Sequence, residues 1–497
     1  MLTVAVFRGV GEFVFRILVG RHFRVVWSAL LLALLLALLL AGCSGAESTV
    51  VASPAPASVP TAVPTLPVDD AVVTQTKPPV ATATTGPAPY KTTPPEVSPT
   101  PTPDWSTLPP VPEAEAVLVE VAPVVLEIRG LPAVEIAPGL LDREQLAEYL
   151  LGLIAADYPP EEQQLDALEW TLLGLLAPGE DILNLQLELL GADILGFYDQ
   201  DAKTMFVIDG GDGGMVMLKF VLTHEYVHAL QDAAFDLGAI DDRIGTDNGD
   251  ALAAFTALVE GDATAAGVVA FYRVVTTEEL GEFLAADSAT IMPPSRARDF
   301  LNDLLDFSYT AGWGFVEALL TAGGWDLVDA AYTDLPASTE QIIYPDKYLA
   351  RELPEDVELP DMSESALDGW HELRRNVMGA FFLELLFGEF GPDGLASGWR
   401  GDEYAIYQDG MDNLLVLKTR WEAVVADEFW DAATLFVQGD WLDSFSAGVA
   451  RTVVASDLVT WDREFHAARL FRDGNDVYLV VGTNSAAVER VWEQLRG

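Results

Sequence analysis

Five consecutive residues, His224, Glu225, Tyr226, Val227 and His228, carry the densest chemistry in the chain. Two imidazoles four positions apart fall on one face of an α-helix, because about 3.6 residues complete a turn. Both rings can then reach one metal ion, and the carboxylate that follows the first histidine sits beside the position the protein leaves open. Zinc in such a site acidifies a water to a pKa of about 7 and polarises a carbonyl, while Glu225 takes the proton as the water attacks. His224 and His228 are two of only five histidines in 497 residues. A chance match to the pattern is a roughly one-in-several-hundred event. The plain alternative, a pair of satisfied core histidines, would leave Glu225 inside an apolar helix without a charge partner.

A third protein donor is needed. Metzincins place Gly three residues and His six residues after the second histidine, where this chain has Gln231 and Ala234, so that branch is excluded. His371 and His466 lie far downstream. Glu260 falls within Ala257-Leu258-Val259-Glu260-Gly261-Asp262-Ala263-Thr264, mid-helix among small and apolar residues where a lone carboxylate is costly to bury. Metal ligation would offset that cost, and the small neighbours would let the first helix approach closely. A solvated glutamate on an outer face is the alternative, with Asp262 the next candidate ligand. Asp232 and Asp262 are also spaced to orient a ligand imidazole, although surface acids have the same spacing.

HEYVH followed by EGDA resembles the gluzincin peptidases, whose HExxH helix is joined by a glutamate from a later helix. The resemblance covers about residues 190 to 330. It implies that His224, His228 and Glu260 hold Zn2+ and that Glu225 is the general base. The segments HEYVHALQD, LVEGDAT, Tyr309-x-x-Gly312-x-x-FVEALL, STEQ-x-x-x-P-x-KY and GW-x-GD are similar to those of bacterial secreted gluzincin-like proteins, which lend a family and no substrate. Tyr309 occupies the position of a tyrosine in such domains, which implies a donor to a developing oxyanion; a core tyrosine fits equally. Tyr344 stands where those proteins carry histidine before the proline, so no metal role follows there.

The elements that must position these residues are legible in outline. Gly196 to Ile208 reads as a β-hairpin, and its second strand, Thr204 to Ile208, either pairs with an extended peptide substrate or lies inside a sheet. Helices are expected over Met215 to Ala234, apolar nearly all round, and Asp250 to Val275. Earlier, a strand is expected near Val124 to Arg129, a helix from Asp142 with an Asp142-x-x-Gln145 capping box, and another helix over Leu165 to Leu176. Later come helices over about Leu373 to Phe387, Phe429 to Val449 and Ser485 to Leu495, and strands near Ala467 to Phe471 and Val477 to Val481. The fold expected is α+β: a zincin-like metallopeptidase domain over 113–330 with an additional C-terminal α+β region over 331–497.

The N-terminus places this domain. Arg8, Arg16, Arg21 and Arg24 precede an apolar run from Val25 to Leu40, and Leu40-Ala41-Gly42-Cys43 resembles a bacterial lipoprotein cleavage box. Residues 1–42 read as a signal peptide and Cys43, the single cysteine, as the lipidated residue. Residues 43–112, rich in Pro, Thr and Ala, read as a tether able to extend roughly 200 Å at about 3.1 Å per residue. With 27 Lys and Arg against 77 Asp and Glu, a formal charge of −50, nucleic acid is repelled. The expectation is an extracytoplasmic zinc metallopeptidase, attached to the cell membrane through its lipid and acting on peptide or protein substrates. An inactive surface-binding lipoprotein and a zinc hydrolase of a non-peptide amide remain as alternatives. Oligomeric state is not legible.

Overall fold

The computed structural model describes residue 108 and residues 111–497, apart from 178, 192–194, 210–213, 286–294, 393, 440–450 and 464–465. The expected signal peptide, Cys43 and nearly all of the tether lie outside these residues. The architecture is α+β. Helix α1 (Pro112–Arg129) leads to β1 (Pro138–Leu141), α2 (Arg143–Asp157), α3 (Pro160–Leu172) and α4 (Ile182–Gly191), then the hairpin β2 (Gly196–Asp199) and β3 (Thr204–Ile208). Next come α5 (Gly214–Phe235), α6 (Leu237–Ile244), α7 (Gly249–Val274), α8 (Thr277–Ala285), α9 (Arg296–Gly323), α10 (Trp325–Ala331), α11 (Thr339–Ile343) and α12 (Pro345–Leu349). The C-terminal part comprises β4 (His371–Asn376), α13 (Gly379–Phe387), β5 (Trp399–Asp409), β6 (Asp412–Trp421), α14 (Ala426–Gln438), β7 (Arg451–Val454), β8 (Leu458–Asp462), β9 (Ala467–Asp473), β10 (Asp476–Gly482) and α15 (Ser485–Arg496).

Where a strand was expected at 124–129, the chain is the end of α1. Its buried residues Ala114, Val117, Leu118, Val121 and Val125 recur every three or four positions, and this stripe packs on α5 and α7. Pro112 opens the helix, where its missing N–H costs nothing, and Gly130 ends it in the left-handed region at φ 75°. Tertiary packing here overrides the β preference of Val124, Val125 and Ile128. The capping box at Asp142 forms as expected: its carboxylate accepts the Gln145 N–H, and the Gln145 side chain accepts the Asp142 N–H.

Strand β3 is central in a three-stranded sheet of order β1-β3-β2, parallel to β1 and antiparallel to β2. Both of its edges are taken, so it cannot pair with a substrate. It lies inside the sheet. Among the described residues a second sheet has seven antiparallel strands in the order β4-β5-β6-β10-β9-β8-β7. The expected helix at 373–387 is split, because His371–Asn376 joins this sheet and helix begins only at Gly379, at φ 85°. The helix expected over 429–449 is helical to Gln438 and capped at Gly439, and the remainder of that span lies outside the described residues.

Helices α5 and α7 are buried along most of their length. The small residues of α7 serve two neighbours. A Cβ on Gly267 would lie 3.4 Å from the His224 Cα, so that residue is the close approach to α5. Gly261, expected to face the same helix, meets α9 instead: a Cβ on Gly261 would fall 2.2 Å from the Gly312 carbonyl carbon, and one on Gly312 would fall 2.1 Å from the Ala257 oxygen. One core cluster draws on Leu141, Trp170, Tyr309, Leu383, Trp399, Phe436 and Val481, and so runs through both parts of the chain.

Candidate metal centre

The start of α7 is fixed by the later segments. Asn376 Oδ1 accepts the Gly249 N–H at 2.7 Å, Asp250 accepts the Thr339 N–H at 3.0 Å together with its hydroxyl, and Asp402 accepts the N–H groups of Met378 and Gly379. The STEQ segment therefore holds the helix that carries Glu260, and the GW-x-GD segment holds the Met378–Gly379 turn that follows Asn376. Further along that helix, Glu260 meets the two histidines of α5.

The Nε2 atoms of His224 and His228 lie 2.9 Å apart, and each is 3.3 Å from Glu260 Oε2. Zinc bonds of about 2.0–2.2 Å in tetrahedral geometry require donor separations of about 3.3 Å, so the three atoms fit one ion. All three residues are buried, and together they form a group able to hold a metal ion. Their ionisations depend on one another. Burial holds the His224 ring down at about 4, with Glu260 opposing. Burial also acts to lower His228, but the charge and hydrogen bond of Glu260 outweigh it and hold that ring up at about 9. Burial would raise the Glu260 carboxyl, and the charge on His228 with the bonds from both rings brings it to about 2. The Glu260 carboxylate thus stays ionised between the two rings, and a metal would have to displace the proton that it holds on His228.

The His228 ring is oriented by Gln231. Its Nδ1–H donates to Gln231 Oε1 at 2.8 Å, and Gln231 Nε2 donates to the Val259 carbonyl of α7 at 3.0 Å, leaving Nε2 of the ring toward the centre. This role was missed in the sequence, where Gln231 counted only as a departure from the metzincin pattern. Its position three residues after His228 was the available signal. Neither acid proposed as a ring orienter makes that contact among the described residues. Asp232 accepts from the Tyr198 hydroxyl at 2.7 Å and from Lys203 at 2.5 Å, while Asp262 pairs with Arg129.

Glu225 is fully buried, and its Oε2 accepts the backbone N–H of Tyr198 at 3.0 Å. That amide points off the outer edge of β2, away from β3, and the hairpin thereby positions the carboxylate. Tyr309 on α9 is buried with its ring centre 6.1 Å from that of His224, tilted by 35°. Four of the sequence-derived site residues thus converge, and the fifth, Tyr309, lies beside them. The further histidines do not join them: His371 is exposed on β4, and His466 lies between β8 and β9.

Residues 365–492, about a quarter of the chain, match the model of a family described as a domain of unknown function, DUF8575. That segment contains the seven-stranded sheet and none of the three donors. No curated protein and no solved structure matches the chain.

Proposed function

We propose that the chain is an extracytoplasmic, membrane-anchored zinc metallopeptidase of zincin-like fold. The observation that carries the reading is the buried triangle of His224, His228 and Glu260 donors, with edges of 2.9, 3.3 and 3.3 Å, adjoining Glu225 on the same helix. When bound, zinc supplies Lewis acidity, acidifying water and polarising a carbonyl. The residues divide the remaining work. Glu225, oriented by the Tyr198 amide, accepts a proton from the attacking water on its carboxylate and delivers it to the departing amine nitrogen. Tyr309 donates its phenolic hydrogen to the developing oxyanion. Gln231 keeps the His228 proton on Nδ1. The basic, apolar and Leu-Ala-Gly-Cys segments at the N-terminus, followed by a Pro-rich tether, support lipid attachment at Cys43 outside the cytoplasm.

The test is metal content and a peptide-library digest on the parent and on Glu225→Gln. The expected outcome is close to one zinc per chain in both, with cleavage only by the parent. A parent that holds zinc and cleaves nothing in the library would reduce the protein to a metal-binding surface lipoprotein or to a hydrolase of another amide.

A further inference from the structure

Arg129, the last residue of α1, is buried beneath the two helices that carry the metal donors. Its Nε and Nη2 donate to the two carboxylate oxygens of Asp262 at 2.7 and 3.0 Å, and Nη2 lies 2.6 Å from Asp329 on α10. The Tyr332 hydroxyl donates to Asp262 Oδ2 at 2.8 Å. The guanidinium stands 4.7 Å from the Trp325 ring centre and 5.9 Å from that of Phe235, and Phe235 stacks on Tyr332 at 4.0 Å. Both donor-bearing helices enter this box: Phe235 is the last residue of α5, and Asp262 follows Glu260 by two positions on α7. Residues two apart on a helix point to different faces. Helix α7 is therefore gripped from two sides, by the imidazoles at Glu260 and by Arg129 at Asp262.

We infer that Arg129 is a positioning residue for the metal centre. Through the two-pronged bond to Asp262 and the packing on Phe235, it fixes the rotation and height of α7 against α5 and so sets the spacing of the three donors. The inference rests on reading those donors as metal ligands, and it adds that the seating of α1, the helix joined directly to the expected tether, governs metal affinity. A lysine could not substitute, because a single ammonium cannot span both carboxylate oxygens.

The test measures zinc affinity by chelator competition and the visible absorption of the cobalt-loaded protein, in the parent, Arg129→Met and the double variant Arg129→Met/Asp262→Asn. Arg129→Met strands a buried carboxylate and can fail to fold. The double variant removes the fully buried pair together and leaves only Asp329, whose side chain is 39% exposed and can be solvated, so it carries the test in that case. With folding verified by near-ultraviolet circular dichroism, the double variant is expected to bind zinc about 10–100-fold more weakly than the parent and to show altered cobalt bands. Parental affinity together with parental cobalt bands in the double variant overturns the inference, and leaves the peptidase reading intact if the parent cleaves peptides. A parent that binds zinc but cleaves nothing overturns the peptidase reading alone. A parent that binds neither metal overturns both.

Discussion

Replacing Gln231 by leucine removes the acceptor that fixes the proton of His228 while keeping similar volume and burial. The magnitude follows from the tautomer. In the parent, Gln231 Oε1 accepts from Nδ1 at 2.8 Å, so the proton the ring keeps when a metal displaces the one on Nε2 already has its partner. Without that acceptor the ring can shed its Nδ1 proton and keep the one on Nε2, toward Glu260 at 3.3 Å. Metal binding must then move the proton to Nδ1 in a buried position with its acceptor gone, at a cost of about 1–3 kcal/mol. That corresponds to a zinc dissociation constant raised by roughly 5–150-fold. The Val259 carbonyl adds little, since it lies within α7 and retains its helical bond. Gln231→Glu, which keeps an acceptor, should hold affinity near or above the parental value. Competition with a chromophoric chelator at neutral pH measures both. Parental zinc affinity in a folded Gln231→Leu protein would refute the tautomer argument.

Glu260→Gln should weaken zinc binding first, with activity partly restored by excess zinc, because an amide oxygen is a poorer ligand than a carboxylate; retention assays under dialysis give the answer. Gly312→Ala should destabilise the fold by about 1–3 kcal/mol in chemical denaturation, because the added methyl meets a backbone oxygen of α7 rather than a side chain that can swing away. Burial raises the Asp250 carboxyl to about 8, despite its bonds from Thr339. The folded state therefore holds a proton that the unfolded chain releases near pH 4, so this group's contribution to stability is full below about pH 4 and is lost as pH rises through 8. Asp250→Asn should flatten that fall, and melting temperatures across the range measure it; an unchanged slope would show that Asp250 is not its source.

The donors were legible because their signal is local. His224 and His228 are one helical turn apart, and Glu260 stood out as a charge in an apolar run. The hairpin and the Asp142 cap were readable for the same reason. Arg129 was not, because its role depends on α1 packing across α5 and α7, and the β-branched residues near its end favoured a strand. Strands β5 and β6 escaped notice for a different reason. Tyr404, Ile406, Leu415 and Leu417 join one core and Ala405, Tyr407, Leu414 and Val416 another, so the sheet is covered on both faces and the usual alternation disappears. The two-residue turn between them, Gly410-Met411 with Gly410 at φ 61° after Asp409, was the remaining signal. The Gly261 to Gly312 contact could not be read from either helix alone.

The order of strands in the larger sheet bears on how the protein is made. Strand β10 is nearly the last segment of the chain, yet it lies between β6 and β9, with α15 packed behind it. A ribosome that has delivered everything up to residue 475 has still not supplied the strand that joins the two halves of that sheet. Residues from both halves enter the core that also contains Leu141, Trp170 and Tyr309. The donor-bearing helices can therefore gain their full support only after synthesis is essentially complete. Chains cut short near the C-terminus would leave two unmatched sheet edges, the features that recruit chaperones and proteases. Premature assembly of the His224, His228 and Glu260 group is thereby discouraged by topology alone.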